Sequence, residues 1–271
     1  MTGLDCILVP LDGSERAEAA LNWASALPAQ RVRLLRVCPE DHPGKQEAAR
    51  YLEEVAARFR PPDRIIETRV AHGGPAEGIV EDAADADLIV MSTQGAGGGG
   101  RLLFGSVADR VARHAPAPTL LLRGGHHPVA AQPVRRIVVA LDGSLAGERA
   151  LPLATLLATL LDVPVHFVTV DDAERDRGGH LDDQSAARDE KPDAYLEAKA
   201  APIQSLDVVT STEVRSGSAA SEVMAALRTG DLLVITTHGR GAARRWQIGN
   251  VAEKLLRQAD APVALVRADT S

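Results

Sequence analysis

The sequence predicts an α/β fold built twice: two tandem doubly wound domains, each a five-stranded, mainly parallel sheet with helices on both faces. Three observations predict it. The chain repeats itself, with Ile7-Leu8-Val9-Pro10-Leu11-Asp12-Gly13-Ser14 returning as Ile137-Val138-Val139-Ala140-Leu141-Asp142-Gly143-Ser144. In the same order, Asp87-Leu88-Ile89-Val90-Met91-Ser92-Thr93-Gln94-Gly95 returns as Asp231-Leu232-Leu233-Val234-Ile235-Thr236-Thr237-His238-Gly239. Within each copy, short β-rich runs alternate with stretches of helical length, the order that builds a parallel sheet by right-handed crossovers. Finally, hydrophobic residues make up 45% of the chain but aromatic ones only 3%, so Val, Leu, Ile and Ala must fill the cores, as in packed helix and strand layers.

In the first copy, strands are expected at Cys6 to Leu11, Arg31 to Val37, Arg64 to Val70, Asp87 to Met91 and Thr119 to Arg123. Helices are expected between them, at Glu15 to Leu27, Lys45 to Phe59, Pro75 to Ala84 and Leu103 to His114. Uninterrupted apolar runs such as Leu88-Ile89-Val90-Met91 and Leu232-Leu233-Val234-Ile235 suit strands buried on both faces. Ser14 and Ser144 stand where a hydroxyl caps the first helix of each copy.

The copies differ in length: the offset is 142 − 12 = 130 at the first repeated segment but 239 − 95 = 144 at the second, so an insertion lies between them in copy two. It falls near Asp171 to Pro192, a charged stretch poor in apolar residues that is expected to be mobile. The Gly- and Pro-rich stretch from Arg123 to Pro133 reads as a connection. Domain one is therefore assigned to 1–125, a linker to 126–134 and domain two to 135–271.

Composition also excludes several functions. A net charge of −7 with few aromatic rings opposes nucleic-acid binding. Cys6 and Cys38 form no CxxC pair, and the eight histidines have no metal-ligand spacing. Met1 to Asp5 leads straight into a strand without an apolar leader, and no run reaches membrane-spanning length, so a cytoplasmic protein without membrane association is expected.

Open α/β sheets bind ligands beyond the carboxyl ends of their strands, where Asp12, Cys38 and the segment from Ser92 to Gly105 fall. That segment holds Gly95-Ala96-Gly97-Gly98-Gly99-Gly100 and leads into a helix, an arrangement whose bare amides suit phosphate. Copy two has lost most of these glycines but keeps Gly239, nine residues, then Gly249, so spacing outlasted composition. The GxGxxG match at Gly95, Gly97 and Gly100 follows the fourth strand rather than the first and is not a dinucleotide fingerprint. No GxxxxGK[ST] sequence is present.

These residues resemble the universal stress proteins in their tandem form, over nearly the whole chain. Nucleotide-binding members carry a Gly, two residues, a Gly, nine residues, then Gly-Ser or Gly-Thr. Here Gly95, Gly105 and Ser106 match the later part, whereas Ser92 and Thr236 replace the first Gly and Asn250 replaces the closing Ser. The resemblance implies a Rossmann-like domain of the adenine nucleotide alpha hydrolase type that binds ATP, with Mg as a companion. It implies that Asp12 and Asp142 meet the adenine or ribose end and that Val37 and Val170 contact the base. Phosphates would lie along Gly95, Gly98, Gly105 and Ser106, and in copy two along Gly239, Gly249 and Asn250. A β-carbon at Ser92 or Thr236 narrows the strand end, and the second site is expected to be the weaker.

Val37 and Val170 would otherwise read as strand core, and Asp12 and Asp142 as turn formers. Glu53-Glu54, Glu81-Asp82 and Asp171-Asp172 read as solvated charge, and His238 faces Gln94 in the repeat. No nucleophile, base and orienting group recur together, which points to binding rather than catalysis, with weak ATP hydrolysis or adenylyl transfer as the enzymatic alternative. Family likeness also implies that the two domains mimic a homodimer through their last strands, with further pairing of chains as an extension. A chain that has lost nucleotide binding and acts by partner contacts is the other reading.

Overall fold

The computed structural model describes residues 3–39, 44–59, 63–93, 105–123, 133–171, 191–239 and 248–268. The chain divides into two compact units, Met1–Gln132 and Pro133–Ser271. Residues 172–190 of the insertion expected near Asp171 to Pro192, and most of the expected linker, lie outside the described residues.

In the first unit, β1 (Leu4–Pro10), α1 (Glu15–Ala26), β2 (Ala29–Cys38), α2 (Lys45–Arg58), β3 (Ile65–His72), α3 (Pro75–Asp82), β4 (Leu88–Ser92), α4 (Ser106–His114) and β5 (Thr119–Leu122) follow one another. The strands are parallel in the order β3-β2-β1-β4-β5. The chain therefore runs outward from β1 through β2 to β3, then crosses back to β4 on the other side of β1. Crossovers leave β1 in opposite directions from its two sides, which opens a crevice beyond the ends of β1 and β4.

The second unit repeats this with β6 (Arg136–Ala140), α5 (Leu145–Glu148), α6 (Leu151–Leu161), β7 (Val165–Asp171), α7 (Pro192–Gln204), β8 (Thr210–Ser216), α8 (Ala219–Ala226), β9 (Asp231–Thr236), α9 (Asn250–Gln258) and β10 (Val263–Val266). Its strand order is β8-β7-β6-β9-β10. One departure is the first helix, which breaks into α5 and α6. Pro152 lies in the first turn of α6, where its missing N–H is harmless, but a continuous helix would set its ring against the Glu148 carbonyl.

Cores follow the expected palette: Ile7, Leu8, Val9, Leu34, Leu88, Ile89 and Val90 are fully buried, as are Ile137, Val138, Val139, Leu232, Leu233 and Val234. The repeated acid at the start of the fourth strand ties that strand to the first. Asp87 Oδ2 accepts from the amides of Asp5 at 2.6 Å and Cys6 at 3.0 Å, while Asp231 pairs with Arg136 at 2.6 Å.

One expectation is corrected. Asp82, read as solvated helix charge, is 4% exposed. Its Oδ1 accepts from the buried Arg33 at 3.1 Å, and its Oδ2 pairs with Arg69 at 2.8 Å. Arg33 also donates to both oxygens of Asp85, at 2.7 and 2.9 Å, and to Glu67 at 3.1 Å. The guanidinium thus pins β2 to β3 and to the end of α3, using the forked donor geometry that lysine lacks.

Arg33 holds the Asp85 carboxyl down at about 2. Burial pushes Glu67 up, but hydrogen bonds from Arg31 and Arg33 outweigh it and keep Glu67 below its ordinary value. Both acids have depressed folded-state values, so their stabilisation is present above the ordinary carboxylate range and is lost as pH falls through it. Arg33→Ala is expected to cost about 3 kcal/mol in urea unfolding, because it takes a guanidinium partner from the buried Asp82 carboxylate. It should also flatten the acid-side loss of melting temperature below about pH 4.5.

Candidate functional site

At the end of β1 the chain must turn sharply into α1, and Asp12-Gly13-Ser14 supplies the turn. Gly13 has φ 85° and its counterpart Gly143 has φ 76°, the left-handed region that a β-carbon disfavours. Asp12 Oδ1 accepts from the Ser14 amide at 3.0 Å and from the Ser14 hydroxyl at 2.6 Å. Ser14 Oγ in turn accepts from the Ala17 amide at 3.2 Å and caps α1. Asp142 and Ser144 repeat these contacts at 3.1 and 2.6 Å, with Gly147 donating to Ser144 at 3.0 Å. The turn role of both aspartates is thus realised, and it sets each carboxylate at the mouth of the crevice.

On the other side of the crevice, the segment after the fourth strand is drawn together at its base. The Gly105 amide donates to the Thr93 carbonyl at 2.7 Å, and the Gly249 amide donates to the Thr237 carbonyl at the same 2.7 Å. Helix α4 then begins with Asp109 donating to Gly105, and α9 with Glu253 donating to Gly249, both at 2.9 Å. Neither helix has a side-chain cap, in contrast with α1 and α5. Among the described residues no side chain caps their first-turn amides, at Ser106 to Ala108 and Asn250 to Ala252, and the positive end of the helix field lies behind them. Such an end holds an anion without a cationic side chain.

Gly105 is required by contact: a β-carbon there would lie 2.9 Å from the Thr93 carbonyl oxygen. At Gly249 the nearest atoms would be at 3.6 Å, an ordinary contact. In the second unit, Asp142 is flanked by two glycines. A β-carbon at Gly147 would meet its Oδ1 at 2.7 Å, and one at Gly239 would overlap its Oδ2. The Thr236 hydroxyl, which stands where the expected pattern has Gly, donates to the His238 carbonyl at 3.0 Å and shapes the same bend.

Val37 sits at the end of β2 with its side chain against α3, since a β-carbon on Gly78 would lie 2.9 Å from Val37 Cγ1. Val170 occupies the matching place on β7, pairing with Arg215 of β8. The residues 94–104 and 240–247 lie outside the described residues, so Gly95, Gly98, Arg240, Arg244 and Arg245 are not placed.

Two features were not read from the sequence. The Arg36 guanidinium lies over the Tyr51 ring at 5.2 Å and directly beside Gly13, placing a cation at the turn of unit one. Tyr51 also donates to Glu18 at 3.0 Å, and Tyr195 donates to Glu148 at 3.3 Å in unit two. Burial, then the bond to Glu18, pushes the Tyr51 phenol well above its ordinary value, so it stays a donor. The offsets 195 − 51 = 144 and 148 − 18 = 130 match those of the repeats, which is the signal that could have found this pair. Among the described residues no group of three His, Cys, Asp or Glu could hold a metal ion, and no helix is long and apolar enough to cross a membrane.

A family model described as the universal stress protein family matches the chain twice, at residues 4–123 and 133–267. The chain is 23% identical to a universal stress protein of Mycolicibacterium smegmatis over 96% of both chains. It is 35% identical to one of Thermus aquaticus over 43% of this chain and 97% of that protein. In fold it is similar to a universal stress protein from Archaeoglobus fulgidus, at 19% identity with a TM-score of 0.77 over 97% of this chain and 98% of the other.

The unequal space at the two glycines gives a direct test. Gly105→Ala should destabilise the protein by about 1–3 kcal/mol in urea unfolding, because the Thr93 backbone must shift. Gly249→Ala should change stability by less than about 0.5 kcal/mol.

Proposed function

The chain belongs to the universal stress protein family, and from that premise we propose a cytoplasmic regulatory protein that binds ATP or a related adenine nucleotide without turning it over. The observation that carries this reading is the pairing, in both units, of an uncapped helix start with an aspartate across the strand-end crevice. The α4 amides suit the phosphate chain, and Asp12 suits hydroxyl donors of the ribose or amino donors of the base. Mg2+ would arrive on the triphosphate. Unit one is the stronger site in this reading, since Ser106 keeps the hydroxyl of the family pattern and Arg36 adds a cation beside the turn.

A second reading, a nucleotide-free protein acting through partner contacts, has one observation in its favour. In unit two the Asp142 carboxylate already lies against Gly147 and Gly239, filling space that a ligand would need. Native mass measurement of gently purified protein separates the two, because a co-purified nucleotide contradicts the second.

Calorimetric titration of the intact chain with ATP is the primary test. Asp12→Asn keeps an acceptor for the Ser14 turn but removes the charge, and with Gly105→Ala it should weaken binding about tenfold or more. Wild-type affinity in both variants would reject the site.

A further inference from the structure

Arg33 has an equivalent in unit two that is not a cation. Arg33 pairs with Leu8 across β1 and with Glu67 across β3; the matching position, opposite Val138 and Ser211, is His166. The carboxylate cluster of unit one is replaced there by something chemically different. His166 is 7% exposed. Its Nδ1 lies 2.8 Å from Ser211 Oγ and its Nε2 lies 3.1 Å from Glu213 Oε2. Ser211 itself is exposed, near the start of the edge strand β8.

The tautomer follows from the partners. Glu213 also accepts from Arg215 at 2.5 Å, and Arg215 Nε donates to Glu222 of α8 at 2.9 Å. Burial pushes the Glu213 carboxyl up, but the bonds from His166 and Arg215 outweigh it and hold Glu213 ionised. An ionised carboxylate accepts only, so Nε2 carries the proton and Nδ1 presents a lone pair. Ser211 therefore donates its O–H to Nδ1. Burial, with the charges of Arg136 and Arg228, lowers the proton affinity of His166, while Glu213 opposes them. The imidazole is consequently neutral at physiological pH, the form that serves as a base.

A hydroxyl in contact with a base that is itself oriented by a carboxylate is the arrangement of an activated nucleophile, recognised by geometry rather than chain position. We propose that Ser211 is a reactive serine that takes an acyl group from small activated esters with good leaving groups, with His166 as its base and Glu213 as the positioning residue. In the step, Ser211 Oγ forms a bond to the carbonyl carbon while its proton passes to His166 Nδ1. The ester C–O bond then breaks, and the leaving alkoxide or aryloxide departs with the bonding pair. The products are O-acyl serine and the released leaving group, and His166 returns to its starting form by passing its proton to that group or, where the group is a weak base such as nitrophenolate, to water.

The probe is p-nitrophenyl acetate, with the intact chain followed by nitrophenolate release and by mass mapping of the acetylated residue. One acetyl group on Ser211, formed at least tenfold faster than on other exposed serines, is expected, and Ser211→Ala should remove it. His166→Gln should slow labelling about 100-fold. Because that buried substitution could unfold the unit, Glu213→Gln, on the half-exposed side, is the second variant and should slow it about tenfold or more. The wild-type rate should climb only as His166 loses its proton and then level off above neutrality. Hydroxide-driven labelling climbs about tenfold per pH unit. Absence of labelling at Ser211, equal labelling across exposed serines, a continuing hydroxide-like climb, or wild-type rates in both folded variants would each overturn the assignment.

Discussion

A single backbone hydrogen bond, made once in each unit, governs the geometry of the strand-end crevice. The Gly105 amide on the Thr93 carbonyl, and Gly249 on Thr237, bring the start of a helix back to the end of the strand that precedes it. This fixes the helix start independently of the intervening sequence. It also explains the absence of a side-chain cap, because the residue at the cap position is a glycine whose amide is already committed and whose Cα must lie close to a carbonyl. Nine residues between the glycines can change from Gly-rich to Arg-rich, as they have between the copies, provided that the spacing and the closing contact stay.

With the framework set by strand order and that contact, the units have diverged in the outer part of the sheet. Unit one uses the buried Arg33 guanidinium to gather Glu67, Asp82 and Asp85 around it. Unit two places His166 at the same register, with Ser211 where Glu67 would be and Glu213 two residues further along the strand. One copy therefore uses the register for cohesion, and the other holds a neutral imidazole against a hydroxyl.

Local chemistry was the part legible in the sequence. Asp-Gly-Ser encodes its turn within three residues, since the glycine conformation, the aspartate acceptor and the serine cap all act over short range. The constant spacing from Gly239 to Gly249 marked the second contact, because a repeat shows geometry that one copy cannot. What escaped depends on distant partners. Asp82 looks like ordinary helix charge until Arg33, 49 positions away, is folded onto it. Ser211 and His166 are 45 positions apart and share no motif. The broken first helix of unit two was a missed local signal, as Pro152 announces it.

Asp142 lies between the Cα atoms of Gly147 and Gly239, and a β-carbon at either position would crowd the same carboxylate. Unit one has Ala17 where unit two has Gly147, so a methyl group is compatible with the equivalent aspartate when its surroundings differ. Positions 142, 147 and 239 are consequently an epistatic trio. A shorter residue at 142 would release both glycines to drift, and relatives of this chain should show those three sites covarying rather than changing one at a time.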